Sequence, residues 1–506
     1  MDPAKTSAKA CHNCRRRRLR CDRSYPHCNK CIGSGKECLG YGKLFRWIGA
    51  VASRGKLAGR TSSAPLDPAS PSEGQGQEKE QQQVVVRRPK SPVPRALIDP
   101  LYQDIGVGER RYLAYFTRRL CLDLVPGDDV NPYRDLLSLT NAYPLLRHTL
   151  VAASATHMSN LVRLPISHRE ESQSTCQTVD DTSRWAYRHA LSAKLEALSM
   201  MRHAIQNINA DTGDVVLTSV LFLFTLELIE SGKHGWKAHL QAAIKILSVL
   251  PPVLPRYEEV RSLMLYDSLV YLVMGSTFLP EPLVDIAPLF RQTSFSAMIV
   301  RAAAHSYICC PGTILAILYQ ASQLSNAVGD GDATTSAATI HTAGLELMRQ
   351  AQEFDVDAWA ADEANFSSLR APSIETRTHA GSAHRLAVCL YTMRAIPSLC
   401  AEDSNKQLSR ALVDGIIRHV SAIPSDDPNL KVITWPSFVV GAESTDPAVR
   451  DWTAQKFELL AATCPWGFLN TALETLHRLW SMDYPETGPR CWVRTLKESD
   501  FHFVVV

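Results

Sequence analysis

The chain has 506 residues, 45% of them hydrophobic and 21% charged, which argues against a fibrous or wholly disordered protein and leaves room for two or three folding units. Its net charge of +3 hides an asymmetry, because residues 1–50 hold twelve Lys/Arg against three Asp/Glu and leave about −6 for the remainder. A basic head on a mildly acidic body points to a polyanionic partner for the head alone.

Six cysteines come first. Cys11, Cys14 and Cys21 recur 17 positions later as Cys28, Cys31 and Cys38, so both halves read Cys-x2-Cys-x6-Cys. Zinc favours four thiolates in a tetrahedron. Two separate tetrahedra need eight cysteines, whereas six suffice when two sulfurs bridge. The repeat supports such bridging, with the first cysteine of each half, Cys11 and Cys28, in the equivalent bridging place. One Zn2+ takes Cys11, Cys14, Cys21 and Cys28; the other takes Cys28, Cys31, Cys38 and Cys11. A module this small cannot fold by burial, so metal supplies its folding energy. A thioredoxin-type redox pair or a single-zinc ribbon would leave Cys21 and Cys38 idle. Four sulfurs on each ion leave no open position for substrate.

Between Cys14 and Cys21 stand Arg15, Arg16, Arg17, Arg18, Leu19 and Arg20. An import signal would use the same charges. Held against a zinc core, they also become positioned donors: contacts to phosphates give affinity, and one or two residues discriminate bases.

Residues 43–60 mix Phe45, Trp47 and aliphatics with basic residues. Residues 61–95 are rich in Ser, Pro, Gln and charge and read as a flexible linker. Arg87-Arg88-Pro89-Lys90 is a second candidate import signal. No heptad run follows the cysteine module.

From residue 96 onward helical periodicity dominates and alternating strand segments are absent. Pro144 opens a helix at its first position, with Leu145, Leu146, Thr149, Leu150 and Ala153 on one side. Leu191, Leu195, Leu198, Met201 and Ile205 form an amphipathic stripe. Residues 215–229 are apolar almost all round, which predicts a central buried helix with Asp214 as its N-cap. Further helices are expected over 263–274, 313–324, 387–396 and 470–480, and polar loops or disordered insertions over 168–183 and 328–338. The apolar run 215–226 is too short to cross a bilayer, so no membrane partner is expected. The eight remaining cysteines lack regular spacing and read as buried hydrophobes of a reducing compartment, not as disulfides. Trp236 with His239 reads as core, not as a ligand pair, and Cys309-Cys310 as structural thiols. No GxSxG, HExxH or P-loop is present, so no enzyme is expected.

The run Ala10-Cys11-His12-Asn13-Cys14 through Cys21-Asp22, with Tyr25-Pro26-His27-Cys28 and Cys31 to Cys38, resembles the fungal binuclear zinc cluster DNA-binding domain. The body resembles the fungal-specific transcription factor regulatory domain, in the variety that includes acriflavine-sensitivity control-type proteins. The motifs that carry this are Tyr143-Pro144-Leu145-Leu146-Arg147-His148 through His157, and Glu227 through Trp236-Lys237-Ala238-His239-Leu240. Cys310-Pro311-Gly312, His384-Arg385-Leu386-Ala387, Trp435-Pro436-Ser437-Phe438 and Gly441-Ala442-Glu443 complete the set. The resemblance implies a short helix in each cysteine half, a loop proline at Pro26, and a first helix pointing into the major groove of double-stranded DNA to read a CGG-type triplet. It makes Arg17 and Arg18 the base readers and puts Arg15, Arg20 and Arg23 on phosphates. Where the family more often carries Lys, the guanidinium fork here suits guanine O6 and N7.

The resemblance further implies a nuclear regulator of RNA polymerase II genes, of metabolic, drug-response or secondary-metabolite type. Its body would contact transcription machinery or co-regulators, and it would be compatible with a homodimer. The expected architecture is all-α: a two-zinc cluster domain over 8–42, a basic/aromatic segment and linker over 43–95, and a helical regulatory domain over 96–506. The competing reading is a zinc-stabilised nuclear scaffold without base-specific binding.

Overall fold

The computed structural model describes residues 9–24, 27–35, 38, 41, 102, 104–125, 131–161, 177–209, 212–233, 235–249, 258–281, 295–327, 337–366, 372–400, 405–482, 491–499 and 503–506. The chain divides into two compact units, Met1–Val93 and Pro94–Val506. Among the described residues the fold is all-α, with no extended strand. The expected basic segment and linker over 43–95 lie outside the described residues.

The first unit carries two short helices, α1 (His12–Arg16) and α2 (Asn29–Ile32), each N-capped by a cysteine sulfur. In chain order, the second unit begins with α3 (Val107–Tyr115), a π-helical turn (Phe116–Leu120) and α4 (Cys121–Leu124). A 3-10 helix (Pro132–Leu139) follows, then α5 (Pro144–Asn160), α6 (Gln177–Gln206), α7 (Gly213–Glu230) and α8 (Trp236–Val249). Next come α9 (Glu258–Ser276), α10 (Phe295–His305), α11 (Gly312–Ala327), α12 (Ala337–Glu353) and α13 (Val356–Ala361). The last group is α14 (Ile374–Ala395), α15 (Pro397–Cys400), α16 (Asn405–Ala422), α17 (Thr434–Glu443), α18 (Pro447–Thr463), α19 (Gly467–Ser481) and α20 (Trp492–Glu498).

Local chemistry explains many of the starts. Pro144 and Pro447 occupy first helical positions, where a missing N–H costs nothing. The Ser373 hydroxyl accepts from Thr376 N, and the Asp446 carboxylate accepts from Ala448 N. Asn131 starts the 3-10 helix by accepting from Tyr133 N, while its amide donates to the carbonyls of Cys121 and Val125.

Two helices organise the body. Every residue from Val215 to Ile229 of α7 is buried, and α5, α8, α9 and α19 surround it. The helix starts at Gly213 after Thr212, so Asp214 lies in its first turn and is not the N-cap that the sequence suggests. α14 is the second axis, packed by α11, α12, α16, α17 and α20. Phe278, just after α9, packs its ring against Tyr391 of α14 and against Phe438, Trp492 and Phe503, and Tyr391 donates to Thr277 O. Gly467, at the start of α19, lets two backbones meet: an added Cβ would lie 2.0 Å from Glu230 O.

Three sequence expectations need correction. Residues 177–183 are helical and begin α6 instead of forming a loop; 168–176 lie outside the described residues. The α12 helix starts at Ala337, inside the segment expected as a loop. Of the stripe expected on α6, Met201 is buried but Leu191, Leu195, Leu198 and Ile205 do not face the core. Ala186, Ala190, Ala193, Ala197 and Met201 are the buried positions, while Leu191, Leu195, Leu198 and Ile205 are exposed. Small alanines allow α6 to lie close along α5, its principal neighbour, and this turns the larger side chains outward.

The scattered cysteines also divide differently. Cys400 and Cys491 are joined as a disulfide with Cα atoms 6.5 Å apart, although 91 positions separate them. Cys121, Cys309, Cys310, Cys389 and Cys464 are buried and free, as read from the sequence. Burial pushes the Cys309 thiol up to about 12. Cys176 lies outside the described residues.

Candidate metal centre and nucleic-acid interface

The cysteine module folds as a structural repeat. Cys11 caps α1, its sulfur accepting from Cys14 N at 3.4 Å; Cys28 caps α2, its sulfur accepting from Cys31 N at 3.4 Å. Cys11 N donates to Cys21 Sγ, and Cys28 N donates to Cys38 Sγ, both at 3.4 Å. Each contact in the first half therefore recurs 17 residues later. Helix N-termini aimed at sulfur favour the thiolate.

The six sulfurs form two overlapping groups of four. Cys11, Cys14, Cys21 and Cys28 make one, and Cys11, Cys28, Cys31 and Cys38 the other; within each, the ligand atoms lie within 4.8 Å of one another. Cys11 and Cys28 belong to both, with sulfurs 3.5 Å apart. Cys14 to Cys28 is 3.7 Å and Cys11 to Cys31 is 3.8 Å. A tetrahedron with metal–sulfur bonds of about 2.3 Å has edges of about 3.8 Å, so the spacing fits a tetrahedral thiolate site for a borderline-soft ion. Five of the six cysteines are buried and Cys21 is half-buried. Burial pushes the thiols of Cys11, Cys14 and Cys28 upward, that of Cys11 to about 12. Burial acts the same way on Cys21, but backbone donors from Cys11 and Arg23 outweigh it and hold the thiol near 7. A cation that replaces these protons is what such a cluster needs in order to be stable.

Asp22, Ser24 and Tyr41 connect the two halves and were not singled out from the sequence. Asp22 Oδ2 accepts from Ser24 Oγ at 2.5 Å and from Asn29 N at 2.9 Å. The Ser24 hydroxyl, with the backbone donors of Asn29 and Lys30, holds the Asp22 carboxyl down at about 2. Tyr41 donates to Ser24 O at 2.6 Å. Asp22 directly follows a ligand cysteine, yet its partner helix starts seven residues later, so nothing local in the sequence marks it.

Arg15, Arg17, Arg18, Arg20 and Arg23 are all exposed. Arg15 lies in the last turn of α1 and Arg17 is its C-cap. The chain then turns: Arg18 has φ 55°, and Leu19 N reaches back to Cys14 O at 2.9 Å. Arg23 has φ 62°. A left-handed backbone disfavours a residue with a Cβ and favours glycine, yet both positions are arginine here. The cluster thus presents a cationic, rigidly anchored edge.

In the second unit, the stretches that carried the resemblance form buried polar joints. Glu443 accepts from Arg394 through both oxygens at 2.9 and 2.6 Å, from Ser409 at 2.5 Å and from Trp492 Nε1 at 2.9 Å. It thereby ties α14, α16, α17 and α20 together. His157 sits between Tyr115, at 2.8 Å, and Asp123, at 2.7 Å. Glu227 pairs with Lys194 at 2.8 Å and lies 3.6 Å from His239, while Trp236 is fully buried, which agrees with a core role for that pair. Cavities beside Lys431 and beside Asp267 measure about 10 and 20 Å³, room for single waters.

Residues 9–47 match the fungal Zn(2)-Cys(6) binuclear cluster domain, and residues 111–506 match the fungal specific transcription factor domain. The chain belongs to the fungal specific transcription factor family. It is also similar to the acriflavine sensitivity control protein acr-2 of Neurospora crassa: 27% identical, over 94% of this chain and 93% of that protein. No solved structure matches the chain. This fungal transcription factor is a DNA-binding transcription regulator whose cluster domain binds two zinc ions. Its domains are those of a regulator and not of an enzyme. Among the described residues no helix is long and apolar enough to cross a membrane.

Proposed function

We propose that this regulator acts in the nucleus on RNA polymerase II genes and reads a CGG-like triplet in the major groove of double-stranded DNA. Cys11, Cys14, Cys21, Cys28, Cys31 and Cys38 hold the two Zn2+ ions, with Cys11 and Cys28 shared. Arg17 and Arg18 probe base edges, and Arg15, Arg20 and Arg23 hold phosphates. The observation that carries this reading is the pair of overlapping sulfur groups with an exposed arginine turn between Cys14 and Cys21. A rigid anchor converts diffuse charge into donors of fixed register. The cluster domain spans 8–42, a linker reaches 95, and residues 96–506 contact transcription machinery or co-regulators. Similarity to a protein named for acriflavine sensitivity supports a drug-response gene set among the targets.

Selection from random duplexes by the full-length protein tests the reading. Enrichment of a GG-containing triplet that Arg18→Ala abolishes is the expected result. Binding without any sequence preference would leave only a charged scaffold.

A further inference from the structure

The outward stripe of α6 has a regular register. Arg188, Leu195 and Arg202 stand seven apart, and Leu191, Leu198 and Ile205 interleave with them, also seven apart. Steps of four and three along one exposed helix face form a coiled-coil seam. Leu195 is 68% exposed, Ile205 43%, Leu191 39% and Leu198 37%. The opposite face of α6 is already spent on α5. Arg188 and Arg202 are exposed, and neither forms an ion pair with another described residue. Glu196 lies off the seam.

We propose that this seam docks an acidic amphipathic helix of a partner protein, with aliphatic residues facing the leucines and carboxylates facing Arg188 and Arg202. The choice of occupant rests on charge. A second copy in parallel register sets each arginine against itself. An antiparallel copy, with Leu195 over the copy's Leu198, puts Arg188 and the copy's Arg202 in adjacent layers. Either arrangement crowds like charges at both ends of a short apolar patch. An acidic helix replaces both repulsions with ion pairs. The narrow stripe also suits a single docked helix better than the roughly 800 Å² per partner of a standard stable interface. The inference gives the co-regulator part of the proposed function a surface and a chemistry, and its test needs no DNA.

The probe is a synthetic helix with leucines along its seam and glutamates positioned opposite Arg188 and Arg202, titrated into the full-length protein. Saturable binding that weakens about tenfold or more in Leu195→Glu and in the double variant R188E/R202E is expected. A lysine version of the peptide should recover binding to R188E/R202E, which shows that the variant is folded. Absence of binding, or equal binding of a glutamate peptide lacking leucines, overturns the proposal. So does a wild-type dimer in sedimentation that Leu195→Glu dissociates, since the seam would then belong to a second copy. DNA binding that survives a failed peptide test leaves the reading of the cluster domain intact.

Discussion

The cluster domain and the helical body solve the same problem by different physics. In the cluster domain, helices of five and four residues are far too short to persist alone. Their positions follow from sulfur atoms converging on shared centres, and the backbone-to-sulfur contacts of one half recur 17 residues away in the other. In the body, α7 and α14 are packed among other helices, and buried charges meet partners in joints such as the one at Glu443. The metal module carries its instructions in local spacing and can expose almost all its charge. The body must find partners across hundreds of residues and exposes mainly what its core does not need. Recognition of a polyanion suits the first design; holding several helices in register suits the second.

Metal removal should separate the two most sharply. Chelation of the full-length protein, or Cys28→Ser, is expected to abolish duplex binding while far-UV circular dichroism changes little, because the body holds nearly all the helix. Zinc should restore binding after chelation. Retained sequence-specific binding in stripped protein would break the comparison. Glu443→Ala should do the reverse: it leaves the Arg394 guanidinium buried without its partner and lowers body stability by about 3–5 kcal/mol, read as a fall in melting temperature with zinc content unchanged. Arg18→Ala is expected to weaken binding to the selected duplex by about 1–3 kcal/mol and to relax base preference. Arg20→Ala should weaken all duplexes alike and reduce the salt slope by about one. If Arg20 changed base preference and Arg18 did not, the proposed roles would exchange.

A smaller effect should sharpen the picture of the body. Lys497 on α20 is buried, and burial pushes its ammonium down to about 7; Nζ donates to Asn326 Oδ1 at 2.6 Å. Its folded pKa lies below the ordinary 10.5, so between those values the unfolded chain binds more protons. Stability should therefore rise with pH above about 7, by at most about 1.4 kcal/mol per pH unit from this group, and show no such slope below it. Lys497→Met should remove that rise; an unchanged pH profile of unfolding would assign the slope to other groups.

The cysteine repeat, the arginine run, the all-α class and the central apolar helix were legible in the sequence because each rests on short-range spacing or composition. Ligand chemistry allows few solutions for six cysteines in two equal halves, and a run such as 215–229 has nowhere to sit but inside. The long-range joints were not legible. Nothing near Glu443 announces that Arg394, Ser409 and Trp492 will meet it, nor does Cys400 identify Cys491 across 91 positions. The stripe on α6 is the clearest case: periodicity located two faces, and only packing against α5 determined that the alanines turn inward and the leucines outward. Metal coordination is written in the distance between ligands along the chain, whereas the choice of a buried face depends on the shape of the helix packed against it.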